Sequence, residues 1–219
     1  MIAFELISDL AIPAIPEDTV AQALSMMSVY HVKHLPVVSN NILLGILSEE
    51  DATNHHPDTK IRDVKVGNIY SFVNKRDHIF EVLSKLAENR TTILPVVDDE
   101  EKFLGIITQD DLIVYLASSF SFKEPGAIIV IETSKRGYSL SEIARIVELE
   151  NISVLASFIT ELPDSQMVLL TLKFNSSETG AVISALERYD YNIKASFTEE
   201  EYTDDLKDRY DQLMNYLNV

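Results

Sequence analysis

Leu35-Pro36-Val37-Val38, a short polar loop and the stretch Gly45-Ile46-Leu47-Ser48-Glu49-Glu50-Asp51 form a unit that the chain contains twice. The second copy reads Leu94-Pro95-Val96-Val97, a loop one residue longer, and Gly105-Ile106-Ile107-Thr108-Gln109-Asp110-Asp111. Asp18 and Asp77 each lie 17 residues before the Leu-Pro pair and precede apolar residues at helical spacing. A period of about 60 residues is too long for a solenoid repeat, so the sequence predicts two small, similarly folded domains packed as a pair.

Within each copy, the pattern predicts an extended segment, a helix, two strands and the start of another helix. In the first copy, Glu17-Asp18-Thr19 supplies a capping residue for a helix that runs to about Tyr30. Gly45 lies inside the second predicted strand, which indicates that another backbone approaches closely there.

The periodicity changes after residue 126. Apolar strands are predicted over 127–132, 152–160, 167–174 and 192–197, with helices beginning near 140 and 178. This βαββαβ order predicts a mostly antiparallel four-stranded sheet with helices on one face. Residues 199–219 begin as an acidic segment and continue as a predicted helix with Leu206, Tyr210, Leu213 and Leu217 on one face.

The composition limits the classes of partner. The chain has 219 residues, 46% of them hydrophobic, which is enough for one or two sizeable cores. Its formal charge of −17 is spread over both halves, so nucleic acid and anionic membranes are not expected partners. There is no cysteine and no apolar run long enough to span a bilayer, which favours a soluble, cytoplasmic protein.

The segments Gly45 to Asp51 and Gly105 to Asp111 resemble the nucleotide-contacting motif of CBS domains, regulatory modules named after cystathionine β-synthase. The Leu-Pro-Val-Val strands also resemble that family, and the likeness covers roughly residues 1–122. Residues 127–198 are similar to ACT domains, the amino-acid-binding regulatory modules, in element order and in Pro125-Gly126 and Gly137. Together they resemble the CBS-pair-plus-ACT layout of bacterial acetoin-utilisation-type proteins.

This resemblance implies an α+β (mixed α/β) fold, in which a tandem CBS pair precedes a ferredoxin-like ACT domain and a C-terminal helix. We expect the first CBS domain at residues 1–60 and the second at 61–122. A linker is expected at 123–126, the ACT-like domain at 127–198 and an acidic C-terminal helix at 199–219.

A hydroxyl and a carboxylate three residues apart at a helix start face the same way. Asp51 or Asp111 can therefore accept hydrogen bonds from both hydroxyls of a ribose, while Ser48 or Thr108 donates to a phosphate. The alternative is that each pair serves only as a helix N-cap. Four apolar residues in front of these pairs can enclose an adenine ring, namely Ile46, Leu47, Ile106 and Ile107.

The family places two such sites in the cleft between the paired domains. The resemblance further implies that early extended segments close over the base, around Ala14-Ile15-Pro16 and Tyr70-Ser71-Phe72. The candidate bases for phosphate contact are His31, Lys33, His34 and Arg90, with ordinary surface roles as the alternative. The second copy carries His78 where the first has Thr19, which indicates that the two sites differ.

The charge pattern bears on the ligand. Glu49, Glu50 and Asp110 would repel a triphosphate unless Mg²⁺ or nearby bases compensate, so a monophosphate or another adenosyl compound is favoured. The expected ligand is AMP, ADP, ATP or S-adenosylmethionine, and no cofactor is required. No metal site is expected, because the spacings of His31/His34 and His55/His56 are not diagnostic.

Two further features concern the rest of the chain. The segment Thr133-Ser134-Lys135-Arg136-Gly137 is basic where ACT domains often carry an acidic or amide residue. The ACT-like module is expected either to bind an effector or to serve in dimerisation, and this difference favours dimerisation. No glycine-rich phosphate loop, Gly-x-Ser-x-Gly elbow or His-Glu-x-x-His motif is present, so no enzyme activity is expected.

The sequence therefore predicts a non-catalytic sensor, a homodimer that binds an adenine nucleotide and acts on an unknown target protein. The alternative is an acidic scaffold or assembly protein with vestigial clefts that binds a partner enzyme.

Overall fold

The computed structural model describes residues 1–8, 13–67, 71–119, 121 and 123–198. The chain divides into two compact units, Met1–Leu116 and Ala117–Val219. Both combine helices with β-sheets, so the predicted α+β class is confirmed. Within the described ranges, no helix has the length and apolar character needed to cross a membrane.

The two sequence repeats of the first unit fold alike. The first repeat contains α1 (Val20–Tyr30), β1 (His34–Ser39), β2 (Ile42–Ser48) and α2 (Glu49–Thr53). The second contains β3 (Val73–Asn74), α3 (Ile79–Asn89), β4 (Ile93–Val97), β5 (Phe103–Thr108) and α4 (Gln109–Ser119). As expected, Thr19 caps α1, since its Oγ1 accepts a hydrogen bond from the Gln22 N–H at 3.2 Å. His78 takes the same role for α3 by accepting from the Phe80 N–H at 3.4 Å.

The hairpins of the two repeats share one register. Leu35 pairs with Leu47 in the antiparallel β1–β2 hairpin, and Leu94 pairs with Ile107 in β4–β5. Each hairpin has an irregularity at the same place, between Val37 and Val38 and between Val96 and Val97. The duplication seen in the sequence therefore extends to the backbone geometry.

The segment that precedes each repeat packs against the other repeat. Residues 1–8 contain a short 3₁₀ helix, Ala3–Leu6, which joins the core of the second repeat, and the Ala3 N–H donates to the Asp77 carbonyl at 2.9 Å. Residues 61–67 belong to the first repeat, where Ile61 is buried and its N–H donates to the Asp18 carbonyl at 2.9 Å. The predicted division at residue 60 separates the two repeats along the chain. In space, however, residues 1–8 pack with the second repeat and residues 61–67 pack with the first.

One hydrophobic core joins the two repeats. It contains α1 and β2 residues of the first repeat together with Ile93 and Ile106 of the second. A second core, which includes Leu94 and Ile107, belongs to the second repeat and to residues 1–8. Because side chains from both repeats fill the first core, the pair is packed as one unit, as the repeat predicted.

The second unit has the predicted βαββαβ order. It contains β6 (Ile128–Ser134), α5 (Leu140–Leu149), β7 (Val154–Glu161), β8 (Met167–Phe174), α6 (Gly180–Arg188) and β9 (Asn192–Phe197). The sheet has the strand order β7-β8-β6-β9, and every pairing is antiparallel, as in ferredoxin-like folds. Alternate residues of β6 and β8 share a core with both helices, including Ile129, Leu170 and Ile143. The predicted C-terminal helix at 199–219 lies outside the described residues.

Candidate functional site

Both hydroxyl–carboxylate pairs form reciprocal caps at a strand-to-helix turn. The Ser48 hydroxyl donates to Asp51 Oδ2 at 2.6 Å and accepts from the Asp51 N–H at 2.9 Å. Thr108 and Asp111 repeat these bonds at 2.6 Å and 3.0 Å. The capping alternative is therefore correct as a description of the local structure, and each hydroxyl proton is committed to its carboxylate. The second carboxylate oxygen, Oδ1, lies outside this pairing and remains available as an acceptor.

Each pair lines a cavity whose opposite wall comes from the other repeat. We call the first the Ser48 cleft, a cavity of about 230 Å³ lined by His34, Ile46, Ser48, Asp51, Gly67, Ser71, Asn89 and Thr91. We call the second the Thr108 cleft, about 140 Å³, lined by Ser8, Tyr30, His31, Val32, Leu35, Thr92, Ile106, Thr108, Gln109, Asp110 and Asp111. The motif of each repeat thus faces the end of the first helix of the other repeat. A ligand in either cleft would contact both repeats at once.

A glycine in each repeat allows the preceding segment to approach the cleft. A β-carbon at Gly45 would lie 2.8 Å from the Gly67 carbonyl oxygen, and one at Gly105 would lie 2.5 Å from Ile7 Cγ2. The Gly67 N–H donates to the Ile46 carbonyl at 2.9 Å, and the Ser8 N–H donates to the Ile106 carbonyl at 2.8 Å. The close approach expected at Gly45 is confirmed, and it brings Gly67 and Ser8 into the linings of the two clefts.

His34 lies where the Ser48 cleft meets a neighbouring surface pocket. The backbone N–H of Thr92 donates to His34 Nδ1 at 3.1 Å, so in the neutral ring the proton resides on Nε2. Burial lowers the pKa of His34 below its usual value of 6.5, and the carboxylates of Asp51 and Glu49 oppose that shift in part. The neutral imidazole is therefore the favoured form near neutral pH, with Nε2–H as its free donor.

The structure brings part of the predicted site together. Ile46, Ser48, Asp51, Ser71 and His34 share the Ser48 cleft. Four more predicted residues share the Thr108 cleft, namely Ile106, Thr108, Asp111 and His31. His31 belongs to the first repeat but lies on the motif of the second, an exchange that reading each copy separately did not anticipate.

Other predicted residues lie elsewhere. Leu47 and Ile107 are fully buried in the hydrophobic cores, because successive strand residues alternate between faces and Ile46 and Ile106 take the cleft side. The predicted enclosure of the base by all four residues is therefore reduced to Ile46 and Ile106. Lys33 lines the surface pocket beside the Ser48 cleft with His34 and Glu49.

The extended segments also differ from the expectation. Ala14 is buried and pairs with Val37 of β1, and Ile15 and Pro16 follow it outside both linings. The Phe72 ring lies 6.0 Å from Lys85 Nζ, against α3. Tyr70 lies outside the described residues. Arg90 is exposed at the left-handed end of α3, with φ of 53°, and is absent from both linings.

Several lining residues were not predicted from the sequence. Tyr30 and Val32 from the end of α1 face the second motif, and Asn89 and Thr91 from the end of α3 face the first. The repeat itself contained the relevant signal, because Tyr30 and Asn89 are equivalent positions of the two copies, as are Val32 and Thr91. Among the described residues, no group of three or more His, Asp and Glu side chains is arranged to hold a metal ion.

Comparison with known proteins agrees with this geometry. The CBS domain family model matches residues 11–58 and 56–118. Residues 11–118 are a tandem pair of CBS domains. A CBS domain pair/ACT domain protein from Thermotoga maritima shares the fold with a TM-score of 0.50 and 24% identity, over 54% of this chain and 98% of that one. The predicted CBS pair is confirmed, and the second unit has the βαββαβ order predicted for the ACT-like domain.

Curated relatives are longer proteins. An inosine-5'-monophosphate dehydrogenase from Methanocaldococcus jannaschii is 35% identical over 100 residues, which are 45% of this chain and 20% of that protein. The corresponding enzyme from Thermoplasma acidophilum is 27% identical over 161 residues, 72% of this chain and 32% of that protein. The chain thus spans a third or less of the length of these two enzymes.

Proposed function

We propose that this protein is a non-catalytic sensor whose CBS pair binds an adenine nucleotide or another adenosyl ligand between its two repeats. The observation that supports this most is the crosswise placement of Asp51 and Asp111. Each carboxylate lines a cavity with an apolar strand residue, Ile46 or Ile106, and the opposite wall comes from the other repeat. A carboxylate next to an apolar wall suits a ribose joined to a base.

Binding in such a cleft supplies a physical basis for signalling. A ligand that contacts both repeats stabilises the relative position of the repeats in which both walls of the cleft can contact it at the same time. Its differential affinity for two arrangements of the repeats shifts the population between them. The shared core around Ile93 and Ile106 would transmit that shift, since both residues pack in the core of the first repeat.

Charge around the Ser48 cleft favours a ligand with few phosphates. Lys33 lines the adjacent pocket together with Glu49, Glu50 and His34, which is neutral near neutral pH, so the two carboxylates outweigh the one cation there. A triphosphate would need Mg²⁺ to offset this acidity. AMP and S-adenosylmethionine fit these surroundings better than ATP.

The ACT-like unit provides dimerisation or a second effector site in this proposal. Its basic loop is partly neutralised, because Lys135 Nζ lies 3.1 Å from Glu161 Oε2. That pairing leaves less free charge to attract an acidic effector and favours an assembly role. We therefore expect a homodimer, the commonest soluble assembly, by light scattering, acting in the cytoplasm on a target protein.

Calorimetry with AMP, ADP, ATP and S-adenosylmethionine, with and without Mg²⁺, tests the proposal. Asp51→Asn and Asp111→Asn keep an oxygen for the cap but remove the charge that would accept from ribose. We expect each to weaken binding at its own cleft by at least about tenfold, the loss typical of a charged hydrogen bond. Asp63→Asn is the control, because Asp63 is exposed and pairs only loosely with Arg62 at 4.0 Å.

The outcomes separate the sensor from a scaffold. Unchanged affinity in both Asp51→Asn and Asp111→Asn, with Asp63→Asn behaving alike, would remove the ribose role. Absence of binding for all four ligands would favour an acidic scaffold with vestigial clefts.

A further inference from the structure

Two hydroxyl groups in the Ser48 cleft are buried without a hydrogen-bond partner. Ser71 is 3% exposed and Thr91 is 8% exposed, and both residues line this cavity. Within the residues that the structure describes, neither Ser71 Oγ nor Thr91 Oγ1 finds a donor or acceptor. Nearly all buried polar groups in folded proteins are paired with protein, ordered water or a ligand, so two orphans in one cavity point to a partner that enters the cavity from outside the chain.

The other cleft lacks these groups. The repeat spacing makes Val32 the counterpart of Thr91, and Val32 lines the Thr108 cleft with an apolar side chain. It makes Ile93 the counterpart of His34, and Ile93 is fully buried. The counterpart of Ser71 in the sequence is Ile12, which lies outside the described residues. The two clefts share the hydroxyl–carboxylate motif but differ in polarity at the position of Thr91 and Val32.

A third donor completes the polar wall. Because His34 Nδ1 accepts from the Thr92 backbone, its Nε2–H is the free hydrogen-bonding group of the ring in this cavity. Two hydroxyls, each able to donate or accept, and one N–H donor suit the edge of a purine, whose ring nitrogens accept and whose exocyclic amine donates. In the Thr108 cleft, Val32 offers no such match at the position equivalent to Thr91.

We propose that Ser71, Thr91 and His34 are specificity-determining residues that make the Ser48 cleft the stronger of the two binding sites. They favour a ligand that presents hydrogen-bonding atoms to this wall of the cleft, as the edge of a purine does. This inference rests on the proposed function and adds to it an order of occupancy and the residues responsible. The Thr108 cleft, which carries Val32 at the position of Thr91, fills second.

Thr91→Val tests the inference, because valine has the shape of threonine and is the residue found at the equivalent position of the other repeat. In the ligand-free protein it removes an unpaired buried hydroxyl, so the thermal midpoint rises. With AMP as the probe, calorimetry shows the stronger site weakened by about 2- to 12-fold, the range for loss of one neutral hydrogen bond. Ser71→Ala has the same pair of effects.

Val32→Thr is the matched control, since it makes the reciprocal change in the other cleft. It lowers the thermal midpoint of the free protein by burying a hydroxyl on an apolar wall, and leaves the stronger AMP site unchanged. The opposite signs of free stability and affinity in Thr91→Val distinguish ligand recognition from a structural role. A threonine that bonds an internal water or the protein would lose stability on substitution.

Three results overturn the inference. One is a lower thermal midpoint for ligand-free Thr91→Val, another is unchanged AMP affinity in both Thr91→Val and Ser71→Ala, and the third is equal loss of the stronger site in Val32→Thr. If AMP binds, Asp51→Asn weakens it and Thr91→Val does not, the proposed function stands and only this inference fails. If AMP does not bind the wild-type protein, both fail together.

Discussion

Gly45→Ala should destabilise the CBS pair more than the equivalent change Gly105→Ala. Gly45 has φ of +156°, and its added β-carbon would lie 2.8 Å from the Gly67 carbonyl oxygen and 3.0 Å from Val66 Cγ2. The obstacle is main chain, held in place by the Gly67 N–H bond to the Ile46 carbonyl at 2.9 Å. At Gly105 the obstacle is Ile7 Cγ2, a side-chain methyl of a half-buried residue rather than main chain.

These contacts set the size of the effect. Backbone strain costs about 1–3 kcal/mol, and loss of the Gly67 hydrogen bond adds about 1 kcal/mol, so Gly45→Ala should lower the free energy of unfolding by about 2–4 kcal/mol. Gly105→Ala should cost about 1 kcal/mol, the low end for overpacking against a side chain. Since Gly67 lines the Ser48 cleft, Gly45→Ala should also weaken ligand binding there.

Urea unfolding followed by circular dichroism measures the difference, and hydrogen exchange of peptides that cover 61–67 locates it. We expect these peptides to exchange faster in Gly45→Ala and at the wild-type rate in Gly105→Ala. A Gly45→Ala protein as stable as wild type, or one less affected than Gly105→Ala, would refute the close-approach argument.

Three further predictions concern other contacts. Burial lowers the pKa of His34 in the folded protein, so the unfolded chain binds the proton more readily. The free energy of unfolding should therefore fall as the pH drops from 6.5 towards the pKa of His34 in the folded protein. In urea titrations, His34→Gln should flatten that part of the pH profile. Tyr191→Phe removes the 2.9 Å bond to Glu142 and should cost about 1 kcal/mol in urea unfolding without changing ligand affinity. Leu6→Ala should cost about 2 kcal/mol or more in the same assay, because Leu6 is buried in the core of the second repeat; no loss would contradict that packing.

The duplicated motif made much of the fold predictable. The Leu-Pro pairs recur after 59 residues and the motif glycines Gly45 and Gly105 after 60, which predicted two like domains. The structure repeats even the irregularity beside Val37 and Val96. In the second unit, the alternation of apolar and polar residues predicted the bounds of β8 and β9. Such alternation is readable because successive side chains of a strand point to opposite faces of the sheet, and the two faces have different surroundings.

Other features depend on contacts that a linear pattern does not contain. The exchange of residues 1–8 and 61–67 between repeats results from packing over long sequence distance, which local periodicity does not record. The same limit explains why His31 lies on the second motif. The burial of Leu47, in contrast, follows from strand alternation, which places Ile46 on the cleft side. The unpaired hydroxyls of Ser71 and Thr91 became visible only when burial was known.

Hydrogen exchange of the full-length protein, with and without saturating AMP, tests the central claim most directly. If a ligand lies between the repeats, protection should appear together in peptides that cover 44–53 and 86–92, which are distant in sequence but line the same Ser48 cleft. Asp51→Asn should reduce both changes together when AMP is held near the wild-type Kd. Protection of one of these segments alone, or protection confined to residues 127–198, would contradict binding between the two repeats.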